Sequence, residues 1–178
     1  MAMIDQADMT GLGASRWHIP LLAFLDGRSE ARFGELVGRL GLSRSILSRC
    51  LDDLERKGWV RRNPGHGHPL RPEYLLTEAG RPLAAWSARV MAERARLGIE
   101  PTGLGRWALP LVLRLDQGWK RFSALQAELS PITPRALSLS LRTTLEAGLV
   151  ERRVEEAFPP VPLYGLAGRG RSLARALL

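Results

Sequence analysis

The chain has 178 residues, 45% of them apolar, and carries a net charge of +8. That length and apolar share allow one or two compact domains, and the absence of any 18-residue apolar run excludes a membrane-spanning helix. The single cysteine, Cys50, excludes an intramolecular disulfide and fits a reducing cytoplasm, near the nucleoid if the partner is a nucleic acid. Asp5 and Asp8, with no apolar run behind them, do not make a signal peptide. Lys57 and Lys120 are the only lysines, so the basic charge is nearly all arginine. The guanidinium fork pairs bidentately with phosphate and with guanine edges, which suits a polyanionic partner. A codon bias toward Arg would account for the Arg-to-Lys ratio but not for the net charge.

Residues 1–15 are mixed and aperiodic and read as a flexible N-terminal arm. Trp17 to Leu25 is an apolar-rich helix ending near Asp26-Gly27. Arg32-Phe33 opens a short second helix, with Phe33, Leu36, Val37 and Leu40 at helical spacing. Gly41-Leu42-Ser43 is a tight turn, and Ser43 is an N-cap for a third helix reaching to about Lys57. At 100° per residue Ile46, Leu47, Cys50, Leu51 and Leu54 fall on its apolar face, and Ser45, Ser48, Arg49, Asp52 and Arg56 on the other. Gly58 ends it. Trp59 to Arg62 and Leu70 to Leu76 are two strands around the turn-rich tip Asn63-Pro-Gly-His-Gly-His-Pro69. Thr77 is an N-cap for a long helix to about Leu97.

Residues 98–105, with Pro101 and internal glycines, read as a linker between a first domain at 16–97 and a second at 106–178. The second half repeats the first about 90 residues on. Trp17-His-Ile-Pro answers to Trp107-Ala-Leu-Pro, Arg32-Phe33 to Arg121-Phe122, and Leu47-Ser48 to Leu137-Ser138. Gly58-Trp-Val60 answers to Gly148-Leu-Val150, and Gly80-Arg81 to Gly170-Arg171. One residue is lost near Trp119 and regained near Pro131. The second copy thus has helices over 106–116, 122–129 and 133–147, strands over 149–154 and 161–166, and a truncated last helix from Arg169. Thr133-Pro134 is a cap followed by proline at the first helical position. The order helix, helix, helix, hairpin, helix is that of a winged helix-turn-helix. The fold class expected is mainly α with small β-hairpins (α+β): two tandem winged helix-turn-helix domains arranged as a pseudo-dimer, which suits a pseudo-twofold partner such as duplex DNA.

The first copy resembles the HxlR family of bacterial winged-helix regulators, which are related to the MarR regulators. The resemblance rests on Trp17-x-Ile19, Arg32-Phe33-x-Glu35-Leu36, Leu47-Ser48-x-x-Leu51-x-x-Leu54-Glu55, Gly58-x-Val60-x-Arg62 and Glu73-Tyr74-x-Leu76-Thr77-x-x-Gly80. The second copy keeps Tyr164-x-Leu166 but has Ala167 where the first has Thr77. The resemblance implies regulators that read double-stranded DNA as homodimers, with the third helix in the major groove and the wing on the backbone or minor groove. Here the second copy would supply the partner in cis, which leaves a monomeric pseudo-dimer and a homodimer both open.

The expected DNA contacts follow from this plan. Arg44, Ser45, Ser48 and Arg49 would present to bases and phosphates from the third helix, against the alternative that they are only a solvated face. Arg61, Arg62, His66, His68 and Arg71 surround the first wing and would meet phosphate or the minor groove. Two histidines in a Gly-Pro loop with no cysteine nearby do not make a metal site, and no cofactor is expected. In the second copy the candidates are Thr133, Arg135, Ser138, Arg142, Arg152 and Arg153, with Leu139 standing where Arg49 was. The second wing, Val154-Glu-Glu-Ala-Phe-Pro-Pro160, is acidic and apolar, which opens the alternative of a protein contact there, with DNA binding confined to the first domain. Cys50 reads as a small buried hydrophobe rather than a thiol switch, and Trp17 and Trp107 as core. No phosphate loop or nucleophile motif points to an enzyme.

Overall fold

The computed structural model describes residues 4, 6–63, 72–156, 158 and 160–178. Contacts divide the chain into two units, one of residues 15–91 and one of residues 92–178 that also takes in the segment carrying the first helix.

In the first unit α2 (His18–Leu25) leads to β1 (Ala31–Arg32), α3 (Phe33–Leu40), α4 (Arg44–Arg56), the hairpin of β2 (Val60–Asn63) and β3 (Glu73–Leu76), and α5 (Gly80–Arg96). The sheet is antiparallel in the order β1-β3-β2, with Ala31 opposite Tyr74 and Val60 opposite Leu76. In the second unit α6 (Ala108–Asp116), β4 (Lys120–Arg121), α7 (Phe122–Glu128), α8 (Pro134–Glu146), β5 (Val150–Glu155), β6 (Val161–Leu166) and α9 (Gly168–Leu177) follow the same order. Its sheet runs β4-β6-β5, with Lys120 opposite Tyr164 and Val150 opposite Leu166. The residue lost near Trp119 therefore leaves the register at the two tyrosines unchanged. Both units are winged helix-turn-helix folds in a mixed α+β chain.

The two cores also correspond. Leu21, Leu25, Leu36, Leu47 and Leu51 are buried in the first, and Leu111, Leu115, Leu125, Leu137 and Leu141 in the second. Burying one such leucine contributes roughly 1.5–3 kcal/mol. Gly41 sits in the left-handed region at φ +63°, where it turns the chain from α3 into α4. Gly80 and Gly170 serve a different need: a Cβ on either would lie 1.9 Å from the carbonyl oxygen of Trp59 or Leu149 respectively. Each glycine lets a helix start directly against the residue that opens the wing.

Four expectations are corrected. The first concerns the N-terminal segment, which forms helix α1 (Gln6–Leu12) against α6 instead of a loose arm. Leu12 is 1% exposed, and a Cβ on Gly13 would come within 2.8 Å of the Arg106 carbonyl. The second concerns residues 98–105, which pack instead of spacing: Ile99 and Leu104 are buried, and the buried Arg94 donates from Nη1 to the Pro101 carbonyl. Third, the unit boundary falls inside α5, whose last turn belongs with the second unit, where Arg96 donates to Ser172 and the Leu97 carbonyl accepts from Arg169. Fourth, Trp17 and Trp107 are half-buried, standing at the N-caps of α2 and α6 rather than in the core, because each helix buries the residues that follow its cap.

Thr77 lies three residues before α5. Its hydroxyl donates to the Gly58 carbonyl and accepts from the Gly80 backbone N–H, so it ties the end of α4 to the start of α5. Ala167 has no hydroxyl for this, and α9 starts directly behind it.

Candidate nucleic-acid interface

Helix α4 starts at Ser43, whose Oγ accepts from the backbone N–H of Ile46 at 3.4 Å. Its buried side is Leu47, Cys50, Leu51 and Leu54. That leaves Arg44, Ser45, Ser48, Arg49 and Asp52 exposed along one face. Ile46, expected on the apolar side, is 37% exposed, because it stands at the edge of the apolar arc, while its neighbour Leu47 faces the core. Ser45 Oγ lies 3.2 Å from Ser43 Oγ. Neither Arg44 nor Arg49 has an ion-pair partner among the described residues.

The far end of α4 is tied down. Asp53 takes Arg56 at 3.0 Å and Lys57 at 3.1 Å, and its Oδ2 lies 3.2 Å from Nε2 of His18, a buried residue of α2. No local pattern marks this cluster, because His18 and Asp53 are remote in the chain. It anchors α4 to the body and draws two cations away from the exposed face. Cys50 is buried, with Sγ 3.5 Å from Ser15 Oγ, and burial pushes its thiol pKa up.

In the first wing, Arg61 and Arg62 are exposed on β2, Arg62 opposite the buried Tyr74. His66, His68 and Arg71 lie outside the described residues.

Helix α8 copies the frame of α4. The Thr133 hydroxyl accepts from the backbone N–H of Ala136, so it serves as the cap. Arg135, Ser138, Leu139 and Arg142 are exposed, with Arg142 Nε 3.7 Å from Glu146 Oε1. The core side differs: Ser140 and Thr144 are buried, and the Thr144 hydroxyl donates to the Ser140 carbonyl.

In the second wing Arg152 and Arg153 are exposed on β5 beside Glu151, Glu155 and Glu156. The Arg153 guanidinium lies 4.1 Å over the ring of Trp119. That ring also covers Gly165 of β6 so closely that a Cβ there would meet it at 2.7 Å. Register places Leu75 at the matching position of the first unit. Sequence reasoning missed this arrangement; the signal was the slip in the repeat at Trp119 together with a glycine inside a strand. Phe158 is fully exposed. Among the described residues no group of three or more His, Cys, Asp or Glu is placed to hold a metal, and no helix is long and apolar enough to cross a membrane.

The profile of the HxlR-like helix-turn-helix family matches residues 12–96 and again residues 104–178. Among curated proteins, the chain is 35% identical over 74 residues to the uncharacterized HTH-type transcriptional regulator YdeP of Bacillus subtilis, covering 42% of this chain and 58% of that one. It is 33% identical over 69 residues to an uncharacterized HTH-type transcriptional regulator of Methanothermobacter thermautotrophicus, covering 39% and 53%. The matched stretches thus span little more than half the length of these relatives. Among solved structures, the reduced form of the transcriptional regulator YodB from B. subtilis is 27% identical, covering 39% of this chain and 69% of that one, with a TM-score of 0.38.

Proposed function

This chain belongs to the HxlR-like helix-turn-helix family, in both of its halves, and from that premise we propose that it is a sequence-specific double-stranded DNA-binding transcription regulator in which both winged helices contact adjacent major grooves. Membership in a family of transcriptional regulators implies DNA binding and gives no reason to assign an enzymatic activity. The observation that carries the finer reading is the exposed face of α4. Arg44 and Arg49 stand there without ion-pair partners among the described residues, on a helix fixed by its cap and by Asp53.

In this reading Ser45, Ser48 and Arg49 reach base edges, Arg49 taking guanine bidentately, while Arg44, Arg61 and Arg62 hold phosphates, and His66, His68 and Arg71 of the first wing are assigned to the same role. The second unit contributes Arg135, Ser138 and Arg142 from α8, with Arg152 and Arg153 on phosphate. Thr133 is assigned to the cap that orients α8. One chain acting as a pseudo-dimer would then span two half-sites about 34 Å apart, and a homodimer would double that footprint. Such a regulator works in the cytoplasm, on the nucleoid.

The test is selection of bound duplexes from a random DNA pool at near-physiological salt. An imperfect inverted repeat is expected, more constrained in the half read by α4. A perfect palindrome would refute the pseudo-dimer and point to two chains pairing their first units. A second reading, a protein contact at the second wing with DNA binding confined to the first domain, is favoured by the exposed Val154 and Phe158 among Glu155 and Glu156. It predicts a site with a single constrained half.

A further inference from the structure

Leu139 is 55% exposed on a helix whose opposite side is built into the core. Its place is defined by the duplication. Arg49 follows the cap Ser43 by six residues, and Leu139 follows the cap Thr133 by six, on helices of 13 residues each. Both side chains point outward. Arg135, Leu139 and Arg142 stand at spacing i, i+4, i+7 and form one stripe along α8. The apolar side chain thus has an exposed guanidinium about one turn to either side of it.

That stripe decides between two kinds of occupant. An apolar protein surface would cover Leu139 only by also desolvating Arg135 and the exposed Arg142–Glu146 pair, which is costly without a matching carboxylate for Arg135. A duplex supplies phosphates for both arginines and, between them, a groove edge with one apolar group. That group is the C5-methyl of thymine, which the other bases lack. Where Arg49 would take guanine through two hydrogen bonds, Leu139 can make none and can only cover a methyl.

We infer that Leu139 is a specificity-determining residue that reads a thymine methyl, so that the two half-sites differ at one equivalent position: G·C under Arg49 and T·A under Leu139. This rests on the DNA-binding reading above and adds the base identity to it.

The test uses the full chain and a duplex selected from the random pool. Each thymine is replaced in turn by uracil, which removes the methyl and leaves every hydrogen bond intact. One uracil, in the half insensitive to Arg49→Ala, should weaken binding about fourfold, the worth of one buried methyl group at about 0.8 kcal/mol. Leu139→Ala should weaken the all-thymine duplex comparably and be indifferent to that uracil, the signature of a direct contact. Leu139→Arg should move the preference at that base pair to G·C. The side chain is exposed, so the variants keep the fold. If no uracil matters, or if uracil and Leu139→Ala act additively, the thymine assignment is overturned while DNA binding stands. If no duplex is enriched, the DNA reading itself fails and takes this inference with it.

Discussion

Replacing Gly80 by alanine puts a methyl group 1.9 Å from the carbonyl oxygen of Trp59. Carbon and oxygen need about 3 Å, so the start of α5 must retreat from the wing by more than an ångström. Two hydrogen bonds cross that gap, from the Thr77 N–H to the Trp59 carbonyl at 3.1 Å and from the Thr77 hydroxyl to the Gly58 carbonyl at 2.6 Å. Losing each costs about 1 kcal/mol. The shift also strains the packing of Leu83 and Ala84, both buried in the first turns of α5, by about 1–3 kcal/mol. The expected loss is therefore about 3–5 kcal/mol, or more than about 10 °C in the melting of a unit this size. Urea unfolding followed by tryptophan fluorescence measures it, with Trp59 itself at the contact. Gly38→Ala is the internal control: nothing lies within 4 Å of a Cβ there, and alanine on this exposed helical position should stabilise by up to about 1 kcal/mol. If Gly80→Ala unfolds at the same urea concentration as the parent chain, close approach is not why glycine stands at that position. Gly170→Ala, 1.9 Å from the Leu149 carbonyl, should damage the second unit in the same way.

Three further outcomes are expected. Arg49→Ala should cost roughly 1–3 kcal/mol on the preferred duplex and relax one base pair, whereas Arg62→Ala should weaken binding on every sequence and flatten the salt dependence by about one unit; identical behaviour would refute the division into reader and anchor. Cys50 should resist a soluble maleimide until the protein unfolds, as read by mass spectrometry, because its thiol is buried and its pKa raised. Glu93 is held at about 2, below its ordinary 4.5, chiefly by hydrogen bonds from Arg96. Its contribution is therefore present above pH 4.5 and lost as pH falls through about 2. Glu93→Gln should cost under about 1 kcal/mol at pH 7, since solvent screens the pair, and nothing near pH 2, as read by urea midpoints at the two pH values.

The elements that were legible in the sequence are those whose periodicity is long enough to see and whose ends carry a side-chain signal. Helices α4 and α8 combine both, with Ser43 and Thr133 as caps, and their outward faces could be assigned residue by residue. Strands β1 and β4 have two residues each, too few to show alternation. Helix α1 escaped for another reason: it packs on α6, far along the chain, which no local pattern encodes, and Ile99 and Leu104 are single buried residues in a stretch with no periodicity to read. Ile46 misled because it stands at the edge of the apolar arc of α4, about 90° from its centre at 100° per residue, where the core no longer covers a side chain. The Asp53 cluster and the Trp119 stack are likewise tertiary, though the broken repeat marked the second of them.

Trp119 and Gly165 have a consequence for how the two halves can change. The ring lies where any larger residue at position 165 would have to go, and the matching strand position in the first unit holds Leu75. Copying β3 over β6 would bring a leucine into the tryptophan, and replacing Trp119 alone would leave a bare glycine in the central strand and remove the ring beneath Arg153. Neither single step back is neutral. The pair works as a ratchet: once both changes are in place, the halves of this duplicated chain can no longer trade segments piecemeal, and their divergence is self-preserving.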